Sequence, residues 1–339
     1  MSETQATMPA QAEAFSFGDP VPMLDRREIL DYIECVPFGS KWYEPPISPD
    51  GLARSFRSSV HHASPLLLKR NLLVSAFQPN QWLSKLHFST YALNYMIMGN
   101  SYLQRFDNRL GDLLRLEAPL AKYMRRGQDI DRYWWVTGYN KEVEFAKGSI
   151  FHLMEPDINQ DLYGVPEYIP ALHSAWLNED STLFRRKYYR NGSHAGFILY
   201  MTDAAQSQGD VDALREALKS AKGPGNFRNL FMYSPNGKKD GIQIIPVSEV
   251  AAKDEFFNIK NITRDDQLAM HRTPPQLVGV VPSNSGGFGD IEKAFKVFAV
   301  AEIEPLMERL MEVNDWIGQP VVQFKKPSLG LQEAPPMPM

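Results

Sequence analysis

Two helical stretches bracketing a small unit constrain this chain more than any other feature of its sequence. Residues 170–191 run unbroken from Pro170, suited to a first helical turn, to Asn191-Gly192, a left-handed stop. At 1.5 Å per residue these 22 residues span about 33 Å. A second stretch, residues 249–272, has Ser248 placed as a cap and Thr263 as a second possible cap after an irregular 258–262. Thr273-Pro274-Pro275 must end it, because Pro275 pushes its predecessor out of the helical region. Between them the pattern reads β-α-β-β. A strand at 196–200 precedes an amphipathic helix at 210–221, with Val211, Leu214 and Leu218 on one face. Strands at 229–234 and 241–247 follow, joined through Pro235-Asn236-Gly237. A unit this small cannot carry much core alone, so it reads as an insertion.

The rest of the chain mixes its elements. Helical stretches are expected at 25–34 and at 64–77, where Leu66, Leu67, Leu68, Leu72 and Leu73 recur, and more strongly at 88–102, with Gly99 near its end. Strands are expected at 132–136 and 149–154, which are rich in aromatic and β-branched residues. This order of elements is that of an α+β fold. A final helix, 290–317, carries Ile291, Phe295, Phe298, Leu306, Leu310, Val313 and Ile317 near helical spacing. Pro305 sits inside it, deleting one backbone hydrogen bond, so a kink is expected around 301–305. Residues 1–14 and the proline-rich 327–339 lack apolar periodicity and read as mobile ends.

Composition narrows the function. The 339 residues are 43% hydrophobic, enough for a real core, and carry 36 Lys and Arg against 40 Asp and Glu. The resulting net charge of −4 disfavours a tight duplex binder of the basic-patch kind. Cys35 is the one cysteine, which rules out an intramolecular disulfide and multi-cysteine metal sites and suits a reducing compartment. The N-terminus lacks a signal-peptide pattern and no apolar run reaches membrane-spanning length, so cytosolic synthesis and no membrane partner are expected.

Catalytic constellations are not evident. The P-loop pattern is missing, and Gly286-Gly287-Phe288-Gly289-Asp290 lacks both the lysine and the preceding strand of a phosphate cradle. His61 and His62 are adjacent, and the histidines at 87, 152, 173, 194 and 271 show no metal-ligand spacing, so solvated or hydrogen-bonded imidazoles are the preferred reading. Met270, Met307 and Met311 read as core filling. Asp129 with Asp131, and Asp265 with Asp266, read as solvated turn carboxylates rather than a two-metal nuclease centre. No catalytic residue, metal or cofactor is expected.

The best electrostatic signal is basic. Arg185, Arg186, Lys187 and Arg190 close the first long helix, and Lys219, Lys222, Lys238 and Lys239 lie in the inserted unit. A solvated helix end with turn lysines and a surface for a polyanion or a docking partner explain them equally well. A second stretch is uncharged throughout its 17 residues, 273–289, and contains Pro282, Ser283, Asn284, Ser285, Gly286, Gly287, Phe288 and Gly289, a flexible loop by composition.

Several long motifs occur in order: Ala14-Phe15-Ser16-Phe17-Gly18-Asp19-Pro20-Val21-Pro22, Leu24-Asp25-Arg26-Arg27-Glu28-Ile29-Leu30-Asp31-Tyr32 and Trp42-Tyr43-Glu44-Pro45-Pro46. They continue with Glu155-Pro156-Asp157-Ile158-Asn159-Gln160-Asp161-Leu162-Tyr163-Gly164, Phe184-Arg185-Arg186-Lys187-Tyr188-Tyr189, Asp290-Ile291-Glu292-Lys293 and the kinking Pro305. Together they resemble the portal vertex proteins of tailed phages, specifically the PBSX-type family of temperate contractile-tailed phages. The resemblance runs from about Ala14 to about Phe324.

The resemblance implies a portal fold assembled as a ring, usually of twelve subunits, at one capsid vertex, around a channel for double-stranded DNA. It implies a wing at 15–166, a first stem helix at 167–191 with a basic band, a clip at 192–247 and a second stem helix at 248–275. A tunnel loop follows at 276–289, then a kinked channel helix with a short crown at 290–326 and a tail at 327–339. Implied partners are further copies of the chain, the terminase large subunit through the clip lysines, major capsid and scaffolding proteins, head-completion and tail-connector proteins, and DNA held without sequence preference. Implied locations are the virion and, during assembly, the host cytoplasm. The rival readings are a metal-dependent phage nuclease and a monomeric head-tail adaptor.

Overall fold

Serine caps organise the first helices of the body. The computed structural model describes residues 35, 37–129, 131–138, 141–190, 197–201, 242–246, 252–281 and 290–326, without the side chains of 187–190, 197–201, 242–246 and 252–257. Ser48 accepts from the Gly51 N–H and opens α1 (Pro49–Ser55), and Ser59 accepts from the His61 N–H and opens α2 (Val60–Ala76). Ser84 accepts from the His87 N–H and opens α3 (Lys85–Met98). The expected helix at 64–77 therefore begins one turn earlier, at the cap its sequence offers. The expected helix at 88–102 is cut short: Gly99 turns left-handed at φ 64°, and the next residues form a strand. Tyr102 accordingly sits on that strand rather than on the helix.

Strands β1 (Pro37–Phe38) and β2 (Trp42–Tyr43) precede these helices, and β3 (Asn100–Asp107) and β4 (Leu113–Glu117) follow them. Next come β5 (Met124–Gly127), β6 (Tyr133–Val136), β7 (Glu142–Glu144) and β8 (Ile150–Met154), of which β6 and β8 match the expected strands. They form two antiparallel sheets, β1-β2-β5-β6-β7 and β4-β3-β8.

After a 3₁₀ turn at Ile169–Ala171, α4 (Leu172–Arg190) leads out, followed by β9 (Phe197–Met201). β10 (Ile242–Pro246) pairs antiparallel with β9, and α5 (Ala252–Met270) returns along α4. Two cross-helix bonds fix the antiparallel packing, Asn178 Nδ2–H to Thr263 Oγ1 at 2.8 Å and Ser174 Oγ–H to Asp266 Oδ2 at 2.8 Å. Thr263 is not a second cap. The helix continues through 258–262, and the buried Thr263 hydroxyl donates back to the Ile259 carbonyl at 2.7 Å. The expected elements at 25–34, 210–221 and 229–234, the Ser248 cap and both chain ends lie outside the described residues.

The expected helix at 290–317 is helical along its length but not α-helical throughout, and its irregularity falls where the kink was expected. A 3₁₀ turn at Pro275–Val278 is followed by α6 (Ile291–Phe298), a π-helical turn at Ala299–Ile303, α7 (Glu304–Met311) and α8 (Val313–Ile317). The departure from α geometry falls immediately before Pro305, whose missing N–H leaves that turn nothing to lose by widening.

The main core joins both ends of the body. Leu73, Phe77, Phe88, Tyr91 and Leu103 pack with Phe298, Ile303, Met307, Leu310, Val321 and Val322. Phe77 and Phe88 stack at 4.0 Å, and Phe324 meets both rings edge-on. Each such side chain contributes roughly 1.5–3 kcal/mol on burial. Gln78 N–H bonds the Gln323 carbonyl, and Lys325 N–H the Ala76 carbonyl, both at 2.9 Å, sewing the last described residues to the end of α2. A second core at the root of the α4–α5 pair gathers Ile47, Leu52, Phe56, Leu66, Ile97, Tyr168, Leu172 and Trp176.

Candidate functional site

The motif at 155–164 leaves β8 and doubles back onto the body. Gln160 Oε1 accepts from the N–H groups of Leu162 and Tyr163 at 3.0 and 2.8 Å, shaping the loop from within. Tyr163 donates its hydroxyl to the Tyr43 carbonyl at 2.5 Å and accepts from the Arg126 N–H at 2.7 Å. Asn100, at the start of β3, closes the return. Its Nδ2–H donates to the Gly164 carbonyl and its Oδ1 accepts from the Gly164 N–H, both at 2.7 Å. The chain thus reaches α4 from a fixed origin.

At that origin three elements meet around a charged cleft of about 190 Å³, lined among others by Lys69, Glu155, Arg272, Glu302, Pro305 and Arg309. Lys69 on α2 is 5% exposed, Glu302 in the π turn is 6% exposed, and their charged atoms are 2.7 Å apart. Arg272, just past α5, also pairs with Glu302 and reaches Glu167 Oε2 at 2.5 Å. Burial lowers the Lys69 pKa even against the attraction of Glu302. Arg309 on α7 donates to the Met154 carbonyl at 2.8 Å and to the Tyr95 hydroxyl at 3.2 Å, while Tyr95 bonds Glu155. Burial raises the Glu155 pKa. Beside this cleft, His62 on α2 and His271 at the end of α5 share a hydrogen bond of 3.0 Å in the interior. The cleft's charges are paired into a joint that ties α2, α5 and the π turn together.

Sequence reasoning missed this joint, although it left a signal: Lys69 and Glu302 are charged residues on otherwise apolar helix faces. His62 and His271 are 209 positions apart, so no spacing rule brings them together.

Arg185 and Arg186 are exposed near the end of α4; Lys187 and Arg190 belong to the same helix, but their side chains are outside the described residues. Lys260 on α5, not singled out in the sequence, is close enough to feel Arg185; burial and then the Arg185 charge lower its pKa. Lys219, Lys222, Lys238 and Lys239, and the loop residues from Pro282 to Gly289, also lie outside the described residues. Pro305 is exposed and borders the cleft. Among the described residues, no group of three His, Cys, Asp or Glu side chains could hold a metal, and no helix is long and apolar enough to cross a membrane.

No family model matches the chain. It is 55% identical over 328 residues to a probable portal protein of Escherichia phage P2, covering 97% of this chain and 95% of that one. The chain belongs to the phage portal proteins. A second portal relative, from Haemophilus phage HP1 (strain HP1c1), is 34% identical over 84% of each chain. The portal fold appears also in solved structures. A chain of the native gene transfer agent virion superposes with a TM-score of 0.60 at 15% identity, covering 87% of both chains. An HK97-family phage portal protein from Corynebacterium diphtheriae superposes with a TM-score of 0.57 at 13% identity, covering 81% of this chain and 94% of that one. The α+β architecture is thus that of a portal, and the role is structural rather than enzymatic.

Proposed function

We propose that this portal protein closes into a ring, of twelve subunits in the capsid, at one vertex of a phage head, and serves as the conduit for double-stranded DNA during packaging and ejection. The supporting observation is similarity over 97% of the chain to a probable portal protein, together with a fold shared with one chain of a gene transfer agent neck computed with C12 symmetry. The finer PBSX-type grouping rests on the sequence motifs alone. In this reading, residues 15–166 are the wing and α4 with α5 the stem. Residues 192–247, with Lys219, Lys222, Lys238 and Lys239, are the clip, which docks the terminase large subunit and later the head-completion and tail-connector proteins. The ring also meets major capsid and scaffolding proteins, nucleates procapsid assembly in the host cytoplasm, and remains in the virion.

Charge suits a conduit. Twelve copies at −4 each carry about −48, a field that repels DNA rather than trapping it, apart from local basic bands such as Arg185, Arg186, Lys187 and Arg190. The uncharged loop from Pro282 to Gly289 touches the duplex by shape and offers no ion pair to brake it.

Negative-stain images of the purified protein with its capsid partners should show rings with a central hole; isolated particles without one would reject the proposal. Deleting residues 285–288 should leave the ring intact and reduce DNA packaging or retention at least tenfold. Genome packaging and retention at the wild-type level would remove the loop's role. Lys238→Glu with Lys239→Glu should weaken terminase binding several-fold, measured as retention of the motor on immobilised rings, and unchanged retention would place docking elsewhere.

A further inference from the structure

Arg272 occupies a backbone position that glycine or asparagine ordinarily takes. It follows the last turn of α5 with φ 49°. Its N–H bonds the Ala269 carbonyl at 2.9 Å, and the Thr273 N–H bonds the Leu268 carbonyl at 3.0 Å, the paired bonds of a left-handed helix stop. A long side chain is strained there. The only other non-glycine residue with positive φ among the described residues is Asp131, a type that tolerates this region.

What arginine gains lies across the joint. Its guanidinium bridges Glu302 in the π turn and Glu167 ahead of α4. A π turn holds one residue more than an α turn needs. Its loss would shift α6 by about 1.5 Å along the axis and about 100° around it. Glu302 is buried inside that turn and held from two sides, by α2 through Lys69 and by the end of α5 through Arg272.

We propose that Arg272 is a latch between α5 and the π turn: it keeps the π register by holding Glu302, and it passes displacement of the α4–α5 pair to α6. The latch acts within one subunit, and neither ring closure nor DNA enters its test, so it stands or falls separately from the conduit reading.

Hydrogen–deuterium exchange on the purified full-length chain tests it. Arg272→Gly suits the backbone better, so a simple helix stop predicts unchanged protection everywhere. The latch predicts that amides of residues 295–303 exchange at least tenfold faster while the centre of α5 holds. Glu167→Gln, which removes only the outer contact, should stay within twofold of wild type. Transmission is read with Thr263→Ala at the α4–α5 interface. This change should quicken exchange at residues 299–303 at least threefold in the wild-type background, and by less than 1.5-fold when Arg272→Gly is also present. Protection at 295–303 within twofold of wild type in Arg272→Gly, or equal Thr263→Ala effects in both backgrounds, would overturn the proposal. Arg272→Asn, which also tolerates the left-handed backbone, takes the same readings should the glycine variant not fold.

Discussion

Gly164→Ala is expected to cost about 4 kcal/mol or more, among the largest effects available from a single methyl group in this chain. A Cβ built at this position lies 1.9 Å from the Gly99 carbonyl oxygen and 2.4 Å from the Glu155 nitrogen. Both neighbours are backbone atoms, so no side chain can swing aside. The clash would separate strands already fastened by the Glu155 N–H to Gly99 carbonyl bond of 2.8 Å and by the paired bonds from Asn100. The loop at 155–164 would lift from the body, and α4 would lose its fixed origin. Chemical denaturation of the variant beside the wild type measures the loss. A midpoint shifted by less than about 1 kcal/mol equivalent would mean that the return loop is free to relax.

Acidification should act on the buried histidine pair. Burial holds the His62 pKa at about 4, and burial with the neighbouring His62, Lys69 and Arg272 holds His271 lower still. Unfolding returns His62 to an ordinary value near 6.5, so the unfolded chain binds the extra proton between pH 6.5 and 4. Stability from this group is therefore complete above pH 6.5 and is lost as the pH falls through that window. Between pH 6.5 and 5 the loss amounts to about 2 kcal/mol. His62→Gln, which does not titrate there, should lower stability at pH 7 yet show a pH profile shallower by that amount. Parallel profiles for the two proteins, followed by thermal melts from pH 7 to 5, would show that the pair already carries a proton in the folded state.

Much of the fold was legible because local chemistry and tertiary structure agree. Strands β6 and β8 follow their aromatic and β-branched runs. Helix α4 runs through the expected stretch as far as Arg190, with the Asn191-Gly192 stop outside the described residues, and α5 ends at Met270, ahead of Pro274 and Pro275. The failures were competitions between equally plausible local signals. Gly99 could close a helix gently or turn it into a strand, and pairing of β3 with β4 and β8 decided for the strand. Thr263 could cap a helix or bond back within one, and Asn178 on the facing helix supplied the partner that keeps it inside.

The sequence by itself determined the two long helices at 172–190 and 252–270, the strands β6 and β8, and membership of the phage portal proteins. Each depends on residues close together in the chain, where backbone preference and side-chain period act directly. Only the tertiary structure decided that Lys69 meets Glu302, that His62 meets His271, and that a strained Arg272 joins α5 to a π turn. Those contacts span 233, 209 and 30 positions, and each depends on which faces the packed core brings within a few ångströms. No local rule of propensity or spacing carries that information.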